Sequence, residues 1–186
     1  MEVSPIRDVK KIAEMREVLS AKKRDELMFV IGINTALRIG DILSLSVGDV
    51  CDGNGQVPKT IELRERKTGK KKAFPINQSV KNAIVEYLAE REERDADSPL
   101  FTSRKGGRLS RSQAWRILKA AGKSVGLDNI GTHSLRKTFG YHVYKRNNGD
   151  IGLVQKLLNH SISGVTLNYI GIDRERIEKT YLELNL

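Results

Sequence analysis

The sequence predicts a mainly α-helical domain with one small antiparallel β-sheet, an α+β architecture. Most apolar residues recur at 3.6-residue spacing in segments separated by turn residues, and a single pair of alternating segments flanks Lys67-Thr68-Gly69-Lys70. There is no internal repeat, so residues 1–186 are expected to form one domain and not an array.

The elements follow in order. Asp8 is placed to cap a first helix carrying Val9, Ile12, Met15 and Leu19. A second helix is expected from about Lys23. Its run Leu27-Met28-Phe29-Val30-Ile31-Gly32-Ile33 is apolar on all faces, as a central buried helix requires, and it should end close to Arg38. A short helix with Ile42, Leu43 and Leu45 comes next. Asp52-Gly53-Asn54-Gly55 marks a turn, after which Thr60-Ile61-Glu62-Leu63-Arg64 and Ala73-Phe74-Pro75-Ile76 alternate as paired strands. Helical spacing resumes at Val80, Ala83, Ile84, Tyr87 and Leu88 and is broken by Ser98-Pro99. The loop Arg104-Lys105-Gly106-Gly107-Arg108 leads into a further helix, with Ser110 and Gln113 spaced as a capping box. From Thr132 one stripe runs through Leu135, Phe139 and Val143, and another through Leu153, Val154, Leu157 and Leu158.

Composition narrows the function classes. Lysine plus arginine outnumber aspartate plus glutamate by 33 to 23, a net charge of +10 that favours a polyanionic partner through counterion release. The single cysteine, Cys51, has no intramolecular partner and fits a reducing compartment. No signal-peptide pattern opens the chain, and no apolar run reaches the roughly 18 residues of a membrane span. A cytoplasmic protein is expected.

Five polar features interrupt the apolar pattern. In Thr35-Ala36-Leu37-Arg38-Ile39-Gly40-Asp41, Arg38 joins two apolar segments; it is either ion-paired with Asp41 or aimed at an anion. Lys67 sits in the hairpin with Lys70, Lys71 and Lys72, a grouping that by itself reads as a solvated tip. His133-Ser134-Leu135-Arg136 places an imidazole and a guanidinium one helical turn apart. His160 follows in Leu157-Leu158-Asn159-His160-Ser161, and Tyr169 comes nine residues later.

Taken together, in this order and spacing, the five features resemble the catalytic domain of tyrosine recombinases, the phage-integrase family, over nearly the whole chain. The resemblance implies that Arg38 and Arg136 bind the scissile phosphate, that Lys67 is the hairpin lysine, that His160 is the second histidine, and that Tyr169 is the nucleophile. It further implies a 3′-phosphotyrosyl intermediate with a free 5′ hydroxyl, reached without ATP or a metal. No His-Glu-x-x-His motif occurs, and Gly122-Lys123-Ser124 has Ile117 where the first glycine of a phosphate-binding loop should stand.

The chemistry suits these residue types. A free phenol has a pKa of about 10, so only about one in a thousand is ionised at pH 7. The two arginines would stabilise the pentavalent transition state and secondarily favour phenolate. His133 would accept the phenol proton, Lys67 would donate to the departing 5′ oxygen, and His160 would hydrogen-bond the phosphate. Asp41 resembles the family's acidic position beside the first arginine and is expected to orient Arg38. Arg108, Arg111 and Lys119 are expected to face double-stranded DNA.

Asp173 is placed to cap a final helix over residues 173–186 bearing Ile177, Tyr181 and Leu182; the resemblance implies a tetramer on DNA in the synaptic complex and docking of such a helix on a neighbouring protomer, the alternative being that its apolar face folds back in cis. Gly171 should end the helix that carries Tyr169. The upstream core-binding domain of the family is missing from the pattern, which starts within a few residues of Met1 and so suggests a fragment or a naturally clampless protein. Asn159 stands where a glycine usually precedes the second histidine, with little expected consequence. A non-catalytic DNA-binding relic and type IB topoisomerase-like relaxation are the alternatives; the short spacing from His160 to Tyr169 suits an integrase better.

Overall fold

The computed structural model describes residues 3–64, 69, 71–92 and 94–184; the side chains of residues 64, 72 and 174–176 lie outside the description. Mostly helical with a two-stranded antiparallel sheet, it has the expected architecture.

Helix α1 spans Val9–Ser20, and the Asp8 side chain accepts from Lys10 N–H at its start. Its buried side is Met15 and Leu19; Val9 lies at the first turn on the solvent side, 60% exposed, so the inward stripe is shorter than the spacing suggests. Helix α2, Lys23–Thr35, is the buried centre, with Leu27 to Gly32 all inaccessible. It ends three residues before Arg38, because Ala36 turns left-handed (φ 56°) and stops the helix.

Helix α3 covers only Ile39–Ile42. Leu43 is its C-cap and Leu45 lies beyond, packed into the core. An unforeseen turn, α4 (Val47–Val50), follows, with the Asp49 carboxylate accepting from Ser46 N–H at 2.7 Å.

Strand β1 (Thr60–Arg64) pairs with β2 (Lys71–Pro75), Ile61 opposite Phe74, and both of these turn into the core. The second strand begins two residues earlier than the alternation indicates, and Ile76 falls outside it. Helix α5, Gln78–Ala89, buries the five apolar positions expected of it. It stops well before Ser98-Pro99. Helix α6, Arg111–Ser124, starts from the expected capping box: Ser110 N–H donates to Gln113 Oε1 and Gln113 N–H to Ser110 Oγ.

Helix α7 (Thr132–Arg146) packs on α2 on one side and on α8 (Ile151–Leu158) and α9 (Ser163–Ile170) on the other. A second apolar cluster of Ala36, Tyr141, Val154, Leu158, Ile170 and Ile172 holds these last elements together. Gly140 on α7 allows the close approach of α9: a Cβ there would lie 2.7 Å from Ile170 Cγ2. Gly171, at φ 76°, ends α9 as expected and also precedes α10 (Ile172–Glu183). Asp173 therefore sits inside the first turn of α10 and is not its cap, because the left-handed glycine leaves no residue between the two helices. Among the described residues no helix is long and apolar enough to cross a membrane.

Candidate active site

Three helix ends build one cleft. The left-handed turn at Ala36 delivers Arg38, in extended backbone, to the start of α3. Arg38 C=O accepts from Asp41 N–H at 2.8 Å, and the Asp41 side chain is buried. From α7, His133 and Arg136 project one turn apart, as the spacing requires. Arg136 is 3% exposed, and its guanidinium donates to two carbonyl oxygens, Ala36 at the end of α2 and Leu158 at the end of α8.

The third end is that of α8. Asn159 takes the left-handed conformation, φ 49° and ψ 48°, and His160 N–H bonds back to Gln155 C=O at 3.0 Å. A glycine suits this position because it has no Cβ to strain, and asparagine is the residue that best replaces it there. His160 Nδ1 lies 3.2 Å from Thr166 Oγ1, whose hydroxyl donates to Ile162 C=O at 3.2 Å. Tyr169 on α9 meets the His160 ring edge-on, with centroids 5.1 Å apart.

Arg38, His133, Arg136, Asn159, His160 and Tyr169 thus line one cavity of about 320 Å³. A larger cavity of about 510 Å³ lies between α4 and α5 and is bordered by Val47, Cys51, Val57, Val85, Leu88 and Arg94. It holds no such constellation, and burial, helped by Asp52, raises the Cys51 thiol above its ordinary pKa. The motif residues Arg38, His133, Arg136, His160 and Tyr169 meet in the smaller cleft.

Its electrostatics separate a protonated phenol from two neutral imidazoles. Burial raises the Tyr169 pKa, and Arg136, Arg38 and a hydrogen bond from Arg136 only partly offset this. The cations therefore do not produce a resting phenolate. His133 keeps an exposed edge, yet desolvation of its inner side and the nearby charges of Arg136, Lys137, Arg38 and Arg111 lower its pKa. His160 is lowered by burial, then by Arg136 and Arg38. Among the described residues no three His, Cys, Asp or Glu side chains converge on a metal-sized site.

Lys67 lies outside the described residues. Of the three side chains expected to face DNA, Arg111 sits at the cleft edge, its Nη2 lying 2.5 Å from where a Cβ on Gly40 would be. Lys119 is on the exposed side of α6, its ammonium 4.7 Å from the Trp115 ring centroid. Arg108 is exposed and also bonds within the fold. Its Nη1 donates to the carbonyls of Leu43, Ser44 and Leu45 and its Nη2 to Ser46 Oγ, so it holds the turn between α3 and α4.

Two polar neighbours of the cleft carry no motif in the sequence: Thr166, fully buried under His160, and Lys137, whose ammonium is 5.3 Å from the Tyr169 ring centroid. Lys137 had a signal, its four-residue spacing from His133; Thr166 had none.

Residues 6–176 match the family model described as the phage integrase family. The chain is 44% identical over 180 residues to a probable integrase/recombinase, YoeC, of Bacillus subtilis, covering 96% of this chain and 95% of that protein. It is 33% identical to tyrosine recombinase XerA of Pyrococcus horikoshii, covering 94% of this chain but 60% of the relative. It is 31% identical to tyrosine recombinase XerC of Herpetosiphon aurantiacus, covering 84% of this chain and 50% of that protein. The chain thus spans about half to three fifths of these two relatives. The crystal structure of XerA recombinase superposes with a TM-score of 0.74 at 24% identity, over 100% of this chain and 68% of that one, which establishes the fold.

Proposed function

Because the chain belongs to the phage integrase family and is a tyrosine recombinase, we propose that it cuts and rejoins double-stranded DNA at a specific site, with Tyr169 as the nucleophile. The observation that carries this reading is the convergence of a protonated phenol, two buried or half-buried arginines and two neutral imidazoles on one cleft.

In the proposed step the Tyr169 oxygen attacks phosphorus and its proton passes to His133. A new P–O bond forms to tyrosine as the bond to the 5′ oxygen breaks, and that oxygen takes a proton from Lys67. Arg38 and Arg136 neutralise the non-bridging oxygens, a contribution worth on the order of 10³ to 10⁵ in rate in related phosphoryl transfers. His160, taking up a proton as the phosphate arrives, donates to one of those oxygens. The phosphoester is exchanged and not hydrolysed, so the reading needs no ATP and no metal. Asp41 supports Arg38 from behind; Arg111 and Lys119 contact the duplex outside the cut.

Assembly follows from α10. Ile177, Tyr181 and Leu182 are exposed, the last two by 80%, which supports docking of this helix on a second copy within a tetramer on DNA. XerH site-specific recombinase, which shares this fold at TM-scores of 0.71 and 0.72, has been seen with its difH substrate in pre-cleavage and post-cleavage complexes.

The test is covalent capture. Incubated in EDTA with a pool of nicked duplexes of randomised sequence, the protein should acquire DNA that resists denaturation, and Tyr169→Phe should not. Sequencing the attached strands then gives the preferred site. Attachment that persists in Tyr169→Phe would sink the assignment of the nucleophile, and a strict magnesium requirement would replace this mechanism with a metal nuclease.

A further inference from the structure

Lys137 is a buried cation that the proposed step leaves unused. It follows Arg136 on α7, is 7% exposed, and is absent from the walls of the cleft itself. Helical geometry puts it on the same side of α7 as His133, four residues earlier. Its Nζ lies 5.3 Å from the Tyr169 ring centroid, on an aromatic face whose negative quadrupole attracts a cation. The close seat of Ile170 on Gly140 presses α9 against α7 and brings that ring within reach.

Buried and held over the ring of the nucleophile, this ammonium acts on that ring at short range and with little screening. We propose that Lys137 is a positioning residue for strand cleavage: its ammonium seats the Tyr169 ring edge-on to His160 and supplies a fixed positive charge on the attacking side of the phosphate. This rests on the reading of Tyr169 as nucleophile given above.

Two consequences follow. As the phenol loses its proton, the developing negative charge faces the ammonium as well as the two arginines, so the barrier to attack falls. The same charge acts on His133, which is surrounded by Arg136 and Lys137 on α7, Arg38 before α3, Arg111 on α6 and the neutral Tyr169 across the cleft. Each of those cations disfavours imidazolium. With Lys137 present, His133 is free to accept the phenol proton down to a lower pH.

The test compares wild type with Lys137→Met, which keeps the length and fills the site without charge, and with Lys137→Arg. Single-turnover attachment to a nicked duplex selected with the wild-type protein should slow about thirtyfold in Lys137→Met at pH 7, the size expected for one desolvated cation–π contact. The acid limb of its pH profile should move to higher pH while duplex affinity is unchanged. Lys137→Arg should restore the wild-type limb. NMR titration of His133 in the free protein should show a higher midpoint in Lys137→Met, a readout independent of cleavage. An unchanged rate, or a slower rate with neither the acid limb nor the His133 midpoint moved, overturns the proposal. If wild type itself forms no adduct, the functional reading fails, and the His133 titration alone decides whether Lys137 sets that charge.

Discussion

Arg136 donates through one guanidinium nitrogen to the carbonyl oxygen of Ala36, the residue whose left-handed backbone ends α2. Its other terminal nitrogen donates to Leu158 C=O, one residue before left-handed Asn159. The last carbonyls of a helix have no donor of their own and carry the negative end of its dipole. The arginine expected to bind phosphate is therefore also the staple between the two turns that deliver Arg38 and His160.

That double role predicts the behaviour of Arg136→Lys. An ammonium is a point donor and cannot span two carbonyls held by a planar fork. Each carbonyl left without its donor should cost about 1–3 kcal/mol, visible in denaturant unfolding. Covalent attachment should fall by on the order of 10³ at least while duplex binding persists. A variant as stable as wild type would separate phosphate binding from the staple.

The pH dependence of attachment follows from the shifts of His133 and Tyr169. His133 must be neutral to accept a proton, and its pKa lies below the ordinary imidazole value of about 6.5. The rate should hold steady as pH drops through 6.5 and fall only below it. Tyr169 is raised above its ordinary value of about 10, so no rise from spontaneous phenolate should appear before pH 10. A single-turnover profile whose acid limb lies above pH 6.5 would remove His133 as the acceptor.

Much of this site was legible in the sequence because its parts are coupled to local structure. His133 and Arg136 share a helical face by spacing alone, and Ser110 with Gln113 announced the start of α6. The end of α2 falls close to Arg38, but its exact residue is not legible because an alanine gives no sign that it will turn left-handed; tertiary demand decides it, and the bond from Arg136 to its carbonyl, 100 residues away, is that demand. The bonds that Arg108 makes carry no sequence signal, because three of its acceptors are carbonyls, which every residue carries. Thr166 was invisible for a related reason: a buried threonine on α9 matters only through the ring packed above it.

That ring gives a further prediction. The Thr166 hydroxyl donates to Ile162 C=O, so its oxygen accepts from His160 Nδ1–H, and Nε2 is the nitrogen left for the cleft. In the neutral ring Nε2 is an acceptor; it can donate to a phosphate only when the ring takes up a proton as the anion arrives. Thr166→Val keeps the shape and removes the acceptor, at a stability cost of about 1 kcal/mol. The proton taken up on binding DNA, measured calorimetrically in buffers of different ionisation enthalpy, should change in Thr166→Val and be restored in Thr166→Ser. Identical uptake in all three proteins would show that Thr166 does not fix the tautomer.

The seat of α9 on α7 offers the sharpest separation of stability from chemistry. A Cβ on Gly140 would meet Ile170 Cγ2 at 2.7 Å, closer than packed atoms tolerate, and would press Leu158 Cδ1 at 3.1 Å. Gly140→Ala must therefore lift α9, and Tyr169, one residue before Ile170, moves with it away from Lys137 and His160. Overpacking of this kind costs about 1–3 kcal/mol, leaving a folded population that can be assayed below its unfolding temperature. Covalent attachment in that folded population should still drop well below wild type, because a displacement of about 1 Å at a reacting atom can cost on the order of 10² in rate. If attachment per folded molecule matches wild type, α9 carries Tyr169 loosely and the contact with α7 serves only to hold the fold.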